Sequence, residues 1–185
     1  MAGSKTPGDV EEPPDPPLTN SESVRSSSTD AGAVTFRPVR PDDEPFLYEL
    51  YCSTRTEDLP VSGLDPAARE SLLKMQFMAQ RDGYLVEYTW ADHQIILLND
   101  RPVGRVIVER TGKEHRGIDI ALLPEFRNAG IGAGIIQGLL SEAGDAGKPF
   151  RIEVLKYNRA IRLYQRLGFV AVGDTGANLV MEWNS

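Results

Sequence analysis

The segment IDIALLPEFRNAGIGAGII begins with an apolar stretch, passes through a short polar turn and ends in a run with helical spacing. Two glycines, Gly130 and Gly132, lie where the turn meets that run. Backbone without Cβ atoms lets a diphosphate come close, and the first amides and the dipole of a helix attract anions. The sequence therefore predicts an anion-binding cradle, although a tight strand-to-helix turn would use the same glycines. The cradle comprises Arg127, Asn128, Ala129, Gly130, Ile131, Gly132 and Ala133.

Two common nucleotide-binding motifs do not fit this segment. GAGIIQG lacks the Gly-Lys-Ser/Thr ending of a nucleoside triphosphatase loop. The first strand of a dinucleotide-binding fold would stand near the start of its domain, whereas three antiparallel strands are predicted up to this point. The anion predicted here is therefore a phosphate group of another kind of ligand.

A second segment, IEVLKYNRAIRLYQRLGF, lies downstream and carries a polar residue ahead of a helical run. Asn158 is suited to cap that helix, a role that leaves it able to contact a ligand. Tyr164 has a phenol that can donate a hydrogen bond or a proton, but its apolar neighbours also suit a core aromatic. Both interpretations of each residue stay open.

The two segments resemble the GNAT acetyltransferase superfamily. LLPEFRNAGIGAGII is similar to its motif A, [RQ]xxGx[GA], and the downstream segment is similar to its motif B, Nx(1,2)AxxLYxxxGF. The matching residues are Arg127, Gly130 and Gly132 in the first motif, and Asn158, Ala160, Leu163, Tyr164, Gly168 and Phe169 in the second.

The resemblance implies acetyl-CoA as co-substrate and no metal. The loop amides of residues 127–133 would hold the CoA pyrophosphate, with Arg127 near it unless it is salt-bridged at the surface. Asn158 would contact the pantetheine or phosphate region. The strand backbone that would pair with the pantetheine arm belongs to Ile120, Ala121 and Leu122.

Acyl transfer to an amine requires an acid and a base. A CoA thiolate, from a thiol of pKa about 8.5, needs a donor as it leaves, and Tyr164 is the best candidate. The base must free the lone pair of the amine, and Glu153 is the candidate because related enzymes acting on ribosomal-protein amino termini carry Glu there. Glu153 would alternatively pair with an Arg on a neighbouring strand, and Asp119 is the next candidate. Attack is expected to be direct, in a ternary complex, since no activated nucleophile is evident.

The acceptor side matches no substrate signature. Tyr84, Tyr88 and Trp90 are interpreted either as walls of an acceptor pocket or as core aromatics. His93 and His115 are expected at the surface. The acceptor is therefore left as a small metabolite or a protein amino terminus.

Periodicity and turn residues predict the elements that carry these segments. They indicate a mixed α/β (α+β) fold, which the resemblance extends to a mostly antiparallel sheet of about six or seven strands with helices on both faces. The predicted strands are 33–39, HQIILLN, PVGRVIVER, GIDIALL, FRIEVL, 169–172 and NLVMEW, and the predicted helices are 41–55, 66–80, 130–142 and 159–167.

Composition places these elements in one domain, residues 33–185. Residues 1–32 are rich in Pro, Ser and acidic residues and are predicted to be a disordered tail. Two basic and six acidic residues stand there, so over half of the net charge of −7 belongs to the tail. Cys52 has no partner for a disulfide and is interpreted as a core residue.

The predicted partners follow from the same features. The acidic net charge argues against nucleic acid. Without a signal-like segment or an apolar run of about 18 residues, the sequence predicts a cytoplasmic protein with no membrane partner. A homodimer stays open. The predicted function is N-acetyltransfer, with a non-catalytic CoA sensor or scaffold, or an interaction protein acting through its tail, as the competing hypotheses.

Overall fold

A computed structural model of the protein describes residues 27–29, 32–55 and 65–185. Its described strands and helices follow one another in the predicted order, with one additional strand at the start. The strands are β1 (Ser27–Thr29), β2 (Gly32–Pro38), β3 (Asp92–Leu98), β4 (Arg101–Arg110), β5 (His115–Leu122), β6 (Phe150–Leu155), β7 (Val170–Asp174) and β8 (Asn178–Trp183), and the helices are α1 (Glu44–Arg55), α2 (Pro66–Glu87), α3 (Ile131–Asp145) and α4 (Ile161–Arg166).

All described strands join one sheet in the order β1-β2-β3-β4-β5-β6-β8-β7. Every neighbouring pair is antiparallel except β5 and β6. The mixed, mostly antiparallel fold predicted from the sequence is therefore confirmed. β1 is a strand beyond those predicted and lies within the stretch interpreted as a tail. The rest of that stretch, apart from Gly32, lies outside the described residues.

Alternating side chains bury both faces of the sheet under helices. In β3, Ile95 packs in a cluster with α1 and α2, while the next residue, Ile96, packs in a larger cluster with α3. Both side chains are fully buried. Successive side chains of a strand point to opposite faces, so the continuous apolar run in HQIILLN packs against helices on both sides of the sheet. The helices therefore cover opposite faces, as the sequence predicted.

Helix α2 is longer than the sequence predicted. Asp65 caps it by accepting hydrogen bonds from the amides of Ala67 and Ala68, and Pro66 opens it. The helix was predicted to end at residue 80 but continues to Glu87. The prediction was wrong because it followed residues at helical spacing that end at Gln80, whereas the helix continues through Gly83, and a single glycine costs a helix only about 1 kcal/mol. The extension brings Tyr84 into the helix.

The pairing of β5 with β6 stops early. Only His115 to Gly117 are registered against Phe150 to Ile152. A register shift on the β4 side leaves Ile118 without a partner there, at the point where β5 and β6 part. Both strands stay paired on their other sides, β5 with β4 as far as Leu122 and β6 with β8 as far as Leu155. A gap therefore opens inside the sheet between β5 and β6, and each of these strands is held in place by its other neighbour.

No helix in the described ranges is both long and apolar enough to cross a membrane.

Replacing Gly104 by Ala should destabilise the domain. A Cβ at Gly104 would overlap the carbonyl oxygen of Ala121 on β5, and backbone must move to relieve that overlap. Overpacking of this kind costs about 2 kcal/mol. Gly83→Ala is the matched control, because a Cβ there meets no atom within 4 Å. Urea unfolding should show a loss for Gly104→Ala and none for Gly83→Ala, and equal stabilities would contradict the described β4–β5 contact.

Candidate active site

The gap between β5 and β6 contains a cavity of about 240 Å³. Its walls come from β5, β6, the start of the α4 segment, β8 and the end of α2, so five parts of the chain converge on it. The lining residues are Tyr84, Gly117, Ile118, Asp119, Ile120, Ile152, Glu153, Val154, Leu155, Asn158, Tyr164 and Asn178.

Six of the residues considered for the site line this cavity, namely Tyr84, Asp119, Ile120, Glu153, Asn158 and Tyr164. The others do not. Ala121 and Leu122 continue β5 beyond the lining residues, and residues 127–133 follow at the end of that strand. The structure thus arranges the predicted residues as a cavity and, further along the same chain segment, a loop.

The loop turns into α3 through two residues with left-handed backbone. Asn128 has φ of 60° and Gly130 has φ of 80°. Gly130 is the N-cap of α3 and provides no side-chain cap, so the first amides of the helix have neither an intrahelical carbonyl nor a capping side chain. A Cβ at Gly130 would meet no atom within 4 Å, and at Gly132 only Leu122, at 3.8 Å. This helix end is therefore sterically open and suited to an anion.

Arg127 ties the loop to the rest of the domain. Its Nε donates to the carbonyl oxygen of Leu122 at 2.8 Å, and its Nη2 donates to the Ser53 hydroxyl of α1 at 3.3 Å. The side chain is half-buried. Its contacts fix where the loop leaves β5.

Tyr164 combines the two roles that the sequence left open. Its ring packs edge-on against Phe169, at 5.5 Å between centroids, beside the main core. Burial, with a smaller contribution from the negative charge of Asp119, raises the pKa of Tyr164 to about 12. No hydrogen bond among the described residues engages its hydroxyl. Tyr164 is therefore a neutral phenol at neutral pH with an available proton.

Asp119 is paired with an arginine that sequence reasoning missed. Arg105 of β4 donates from Nε to Asp119 Oδ2 at 2.9 Å and also bonds the same oxygen through Nη2. Its guanidinium carbon lies 5.5 Å from the centroid of the Tyr84 ring. Burial, followed by the charge of Asp119, raises the pKa of Tyr84 to about 12. An arginine within the apolar run PVGRVIV was the available signal, because a buried charge needs a partner.

Glu153 is held by two neutral donors. Thr175 Oγ1 and Asn178 Nδ2 each donate to Glu153 Oε1 at 2.9 Å. No ion pair in the described part of the chain includes Glu153, so the expected arginine partner is not what holds it. Sequence reasoning missed Thr175 and Asn178, which lie in and after the turn between β7 and β8. Nothing local in the sequence marks them.

Asn158 caps the turn that precedes α4 and is not the N-cap of the helix, which is Ala160. Its Oδ1 accepts a hydrogen bond from the amide of Ala160 at 2.8 Å, just before α4 begins. Because that bond uses only the side-chain oxygen, the Asn158 Nδ2 group stays available to the cavity that the residue lines.

The remaining aromatic and histidine candidates do not share one environment. Tyr84 lines the cavity with Tyr88 beside it, at 6.1 Å between ring centroids, whereas Trp90 is largely exposed. His115 is 5% exposed, so its predicted surface position was wrong; β5 lies in the middle of the sheet and buries it. His93 is half-buried. Within the described ranges, no group of three or more His, Cys, Asp or Glu residues is arranged to hold a metal ion.

Comparison with known proteins agrees with this geometry. Residues 87–171 match the family model of the acetyltransferase (GNAT) domain, a range that runs from the end of α2 into β7. No curated protein matches the sequence.

Solved structures share the fold at low sequence identity. The PaiA N-acetyltransferase of Thermoplasma acidophilum, in complex with coenzyme A, is 14% identical with a TM-score of 0.61, over 82% of this chain and 99% of that one. An acetyltransferase of Thermus thermophilus is 17% identical, with a TM-score of 0.56 over 80% and 94% of the two chains. RimJ of Mycobacterium smegmatis, in complex with CoA-disulfide, is 16% identical, with a TM-score of 0.56 over 84% and 83%.

The raised pKa of Tyr164 predicts a loss of stability at high pH. The folded chain keeps this proton to about pH 12, whereas an unfolded chain releases it near pH 10. The unfolded state then binds fewer protons between these values, so the free energy of unfolding falls as pH rises, by about 2–3 kcal/mol in total. Tyr164→Phe should make urea unfolding less dependent on pH in this window. Tyr157→Phe, at an exposed tyrosine, should not; equal slopes for both variants would contradict the burial of the phenol.

Proposed function

We propose that this protein, whose residues 87–171 belong to the GNAT acetyltransferase family, is an N-acetyltransferase that moves an acetyl group from acetyl-CoA to a primary amine. The observation that carries the proposal is the gap between β5 and β6. In this gap the backbone of β5 faces the cavity that Tyr164 lines. The gap continues toward the sterically open amino-terminal end of α3. The acceptor is a small metabolite or a protein amino terminus.

The gap and the loop suit the two halves of CoA. Beyond Gly117, β5 has no registered partner on the β6 side. The backbone of Ile120, Ala121 and Leu122, apart from the Leu122 carbonyl that Arg127 engages, is therefore available to pair with the amide groups of a pantetheine arm. The amides of residues 127–133 would receive the pyrophosphate at the end of the same strand. Asn158 would contact the arm from the opposite wall through its Nδ2 group.

Tyr164 is proposed as the general acid. The amine nitrogen attacks the thioester carbon, the carbon–sulfur bond breaks, and the electron pair of that bond passes to sulfur. A phenol with a pKa of about 12 is fully protonated at neutral pH and can donate a hydrogen bond or its proton to the departing thiolate. Burial of the ring against Phe169 fixes the direction of that donation.

Glu153 is proposed as the base. Oε1 is occupied by two donors, and Oε2 takes part in no hydrogen bond among the described residues. The amine loses one proton during transfer, and Glu153 Oε2 would accept it from the cavity that the residue lines. Asp119, the second candidate, is already engaged by Arg105, which favours Glu153.

A panel of primary amines, assayed by release of free CoA, tests this function. The protein should acetylate at least one amine, and Tyr164→Phe should lower kcat by about 100-fold while leaving the Kd for acetyl-CoA unchanged. Tyr157→Phe, which removes the same hydroxyl from an exposed tyrosine away from the cavity, should behave as the unmodified protein. Binding of acetyl-CoA without turnover of any amine would instead support a sensor or scaffold.

The loop assignment has a separate test in α3. Gly132→Leu should raise the Kd for acetyl-CoA at least about tenfold, because the new side chain would occupy the approach to the helix amides. Gly138→Leu is the control, since a Cβ there meets no atom within 4 Å and the position lies on the exposed side of the same helix. Isothermal titration calorimetry measures both, and equal affinities would rule out phosphate binding at this helix end.

A further inference from the structure

Glu153 and Asp119 lie on the same face of the sheet, on opposite sides of the gap. Ile152 and Val154 of β6 are buried in the α3 cluster, so Glu153 between them points to the other face. Asp119 of β5 likewise bonds Arg105, whose guanidinium lies over Tyr84 of α2. Since α3 begins on the opposite side, this second face is the one from which an acceptor can approach the gap.

The two carboxylates differ in how they are held. Asp119 is neutralised by Arg105, but Glu153 receives only a hydroxyl from Thr175 and an amide from Asn178. Both donors come from the β7–β8 hairpin, and both bond the same oxygen, Oε1. Two hydrogen bonds to one oxygen fix the plane of the carboxylate and leave its other oxygen for a ligand.

The hairpin itself is well defined where it carries these donors. The amide of Thr175 donates to the carbonyl oxygen of Asn178, and Asp174 pairs with Lys156 at 2.7 Å. Asp174 also accepts a hydrogen bond from the amide of Gly176, which has φ of 88°. Thr175 and Asn178 are therefore presented from a constrained turn.

We propose that Thr175 and Asn178 are positioning residues that hold Glu153 with Oε2 toward the acceptor, and that the acceptor amine binds there as an ammonium ion. This inference rests on the proposed acetyltransfer. One N–H bond of the bound ammonium breaks and its proton passes to Oε2, which gives the neutral amine that attacks. A second proton leaves the nitrogen to water after attack. Glu153 then returns its proton to water, and Tyr164 regains from water the proton that it gave to the thiolate.

The same arrangement selects the charge of the acceptor. No lysine, arginine or histidine is among the residues that line the cavity. Asp119 is paired with Arg105. Two further arginines on this side of the sheet, Arg116 and Arg151, are paired with Glu114. The charge of Glu153 is therefore left to act on the acceptor. At about 6 Å and an effective dielectric constant of about 40, one unit charge changes binding about tenfold. Acceptors with a second positive group should therefore be preferred, and acceptors with a carboxylate should be disfavoured.

Three acceptors with equal four-carbon chains test this selection. The specificity constant kcat/KM should fall in the order putrescine, butylamine, γ-aminobutyrate, by about tenfold for each step. Thr175→Val and Asn178→Ala should reduce these differences, because the carboxylate is no longer held in place. A preference for γ-aminobutyrate, or differences that survive in both variants, would overturn the inference.

The ratio of kcat/KM for putrescine to kcat/KM for butylamine separates positioning from a general effect on folding. A loss of folded protein lowers both constants equally, whereas Thr175→Val should bring their ratio from about ten toward one, because Glu153 is no longer held toward the acceptor. Thr175→Ser keeps the donor and should restore the ratio. Thr89→Val and Asn184→Ala are the controls, since Thr89 bonds only its own helix turn and Asn184 donates to Glu182 outside the cavity.

The outcomes distinguish this inference from the function on which it rests. A putrescine-to-butylamine ratio that stays near ten in Thr175→Val, in a variant that folds and acetylates butylamine, overturns the positioning role and leaves acetyltransfer intact. Absence of CoA release with every amine overturns the proposed function and this inference together.

Discussion

The early parting of β5 from β6 is the constraint on which the site depends. An interior strand normally pairs on both sides, because an unpaired buried N–H or C=O group costs about 1–3 kcal/mol. Here β5 keeps its β4 ladder to Leu122 and β6 keeps its β8 ladder to Leu155, so neither wall can shift to close the gap. The domain thus maintains a polar strand edge inside its sheet. A ligand with its own amide groups can satisfy that edge, as water does otherwise.

Local packing explains where the parting occurs. A Cβ at Gly117 would lie 3.1 Å from both Ile152 and Phe150, so the absence of a side chain lets β5 approach β6 closely at the last registered pair. Immediately afterwards the register shift at Ile118 adds a residue to β5, and a bulge of this kind increases the local twist. Close pairing up to Gly117 and strong twist beyond it turn the two strands away from each other.

Sequence and structure agree where the determinants are local. Apolar and β-branched runs between turn residues predicted the strands, Asp65 and Pro66 predicted the start of α2, and the two glycines predicted the turn into α3. The contacts that position the site join distant parts of the chain, and no local pattern encodes them. Arg105 meets Asp119 across neighbouring strands, and Glu153 meets donors from the β7–β8 hairpin, so both pairs follow from register alone. His115 was misplaced for the same reason, since its burial comes from the central position of β5.

Tyr164 shows how one residue serves packing and chemistry without conflict. Its ring belongs to the core between α4 and Phe169, which raises the pKa of Tyr164 by removing water from the phenolate. A core position would normally demand a partner for the hydroxyl, yet no described residue provides one. The cavity provides for such a partner, because a ligand group that enters the gap can accept a hydrogen bond from the Tyr164 hydroxyl. The packing that makes Tyr164 a weak acid therefore also points the hydroxyl, which is the only donor of this side chain, at the place where β5 and β6 separate.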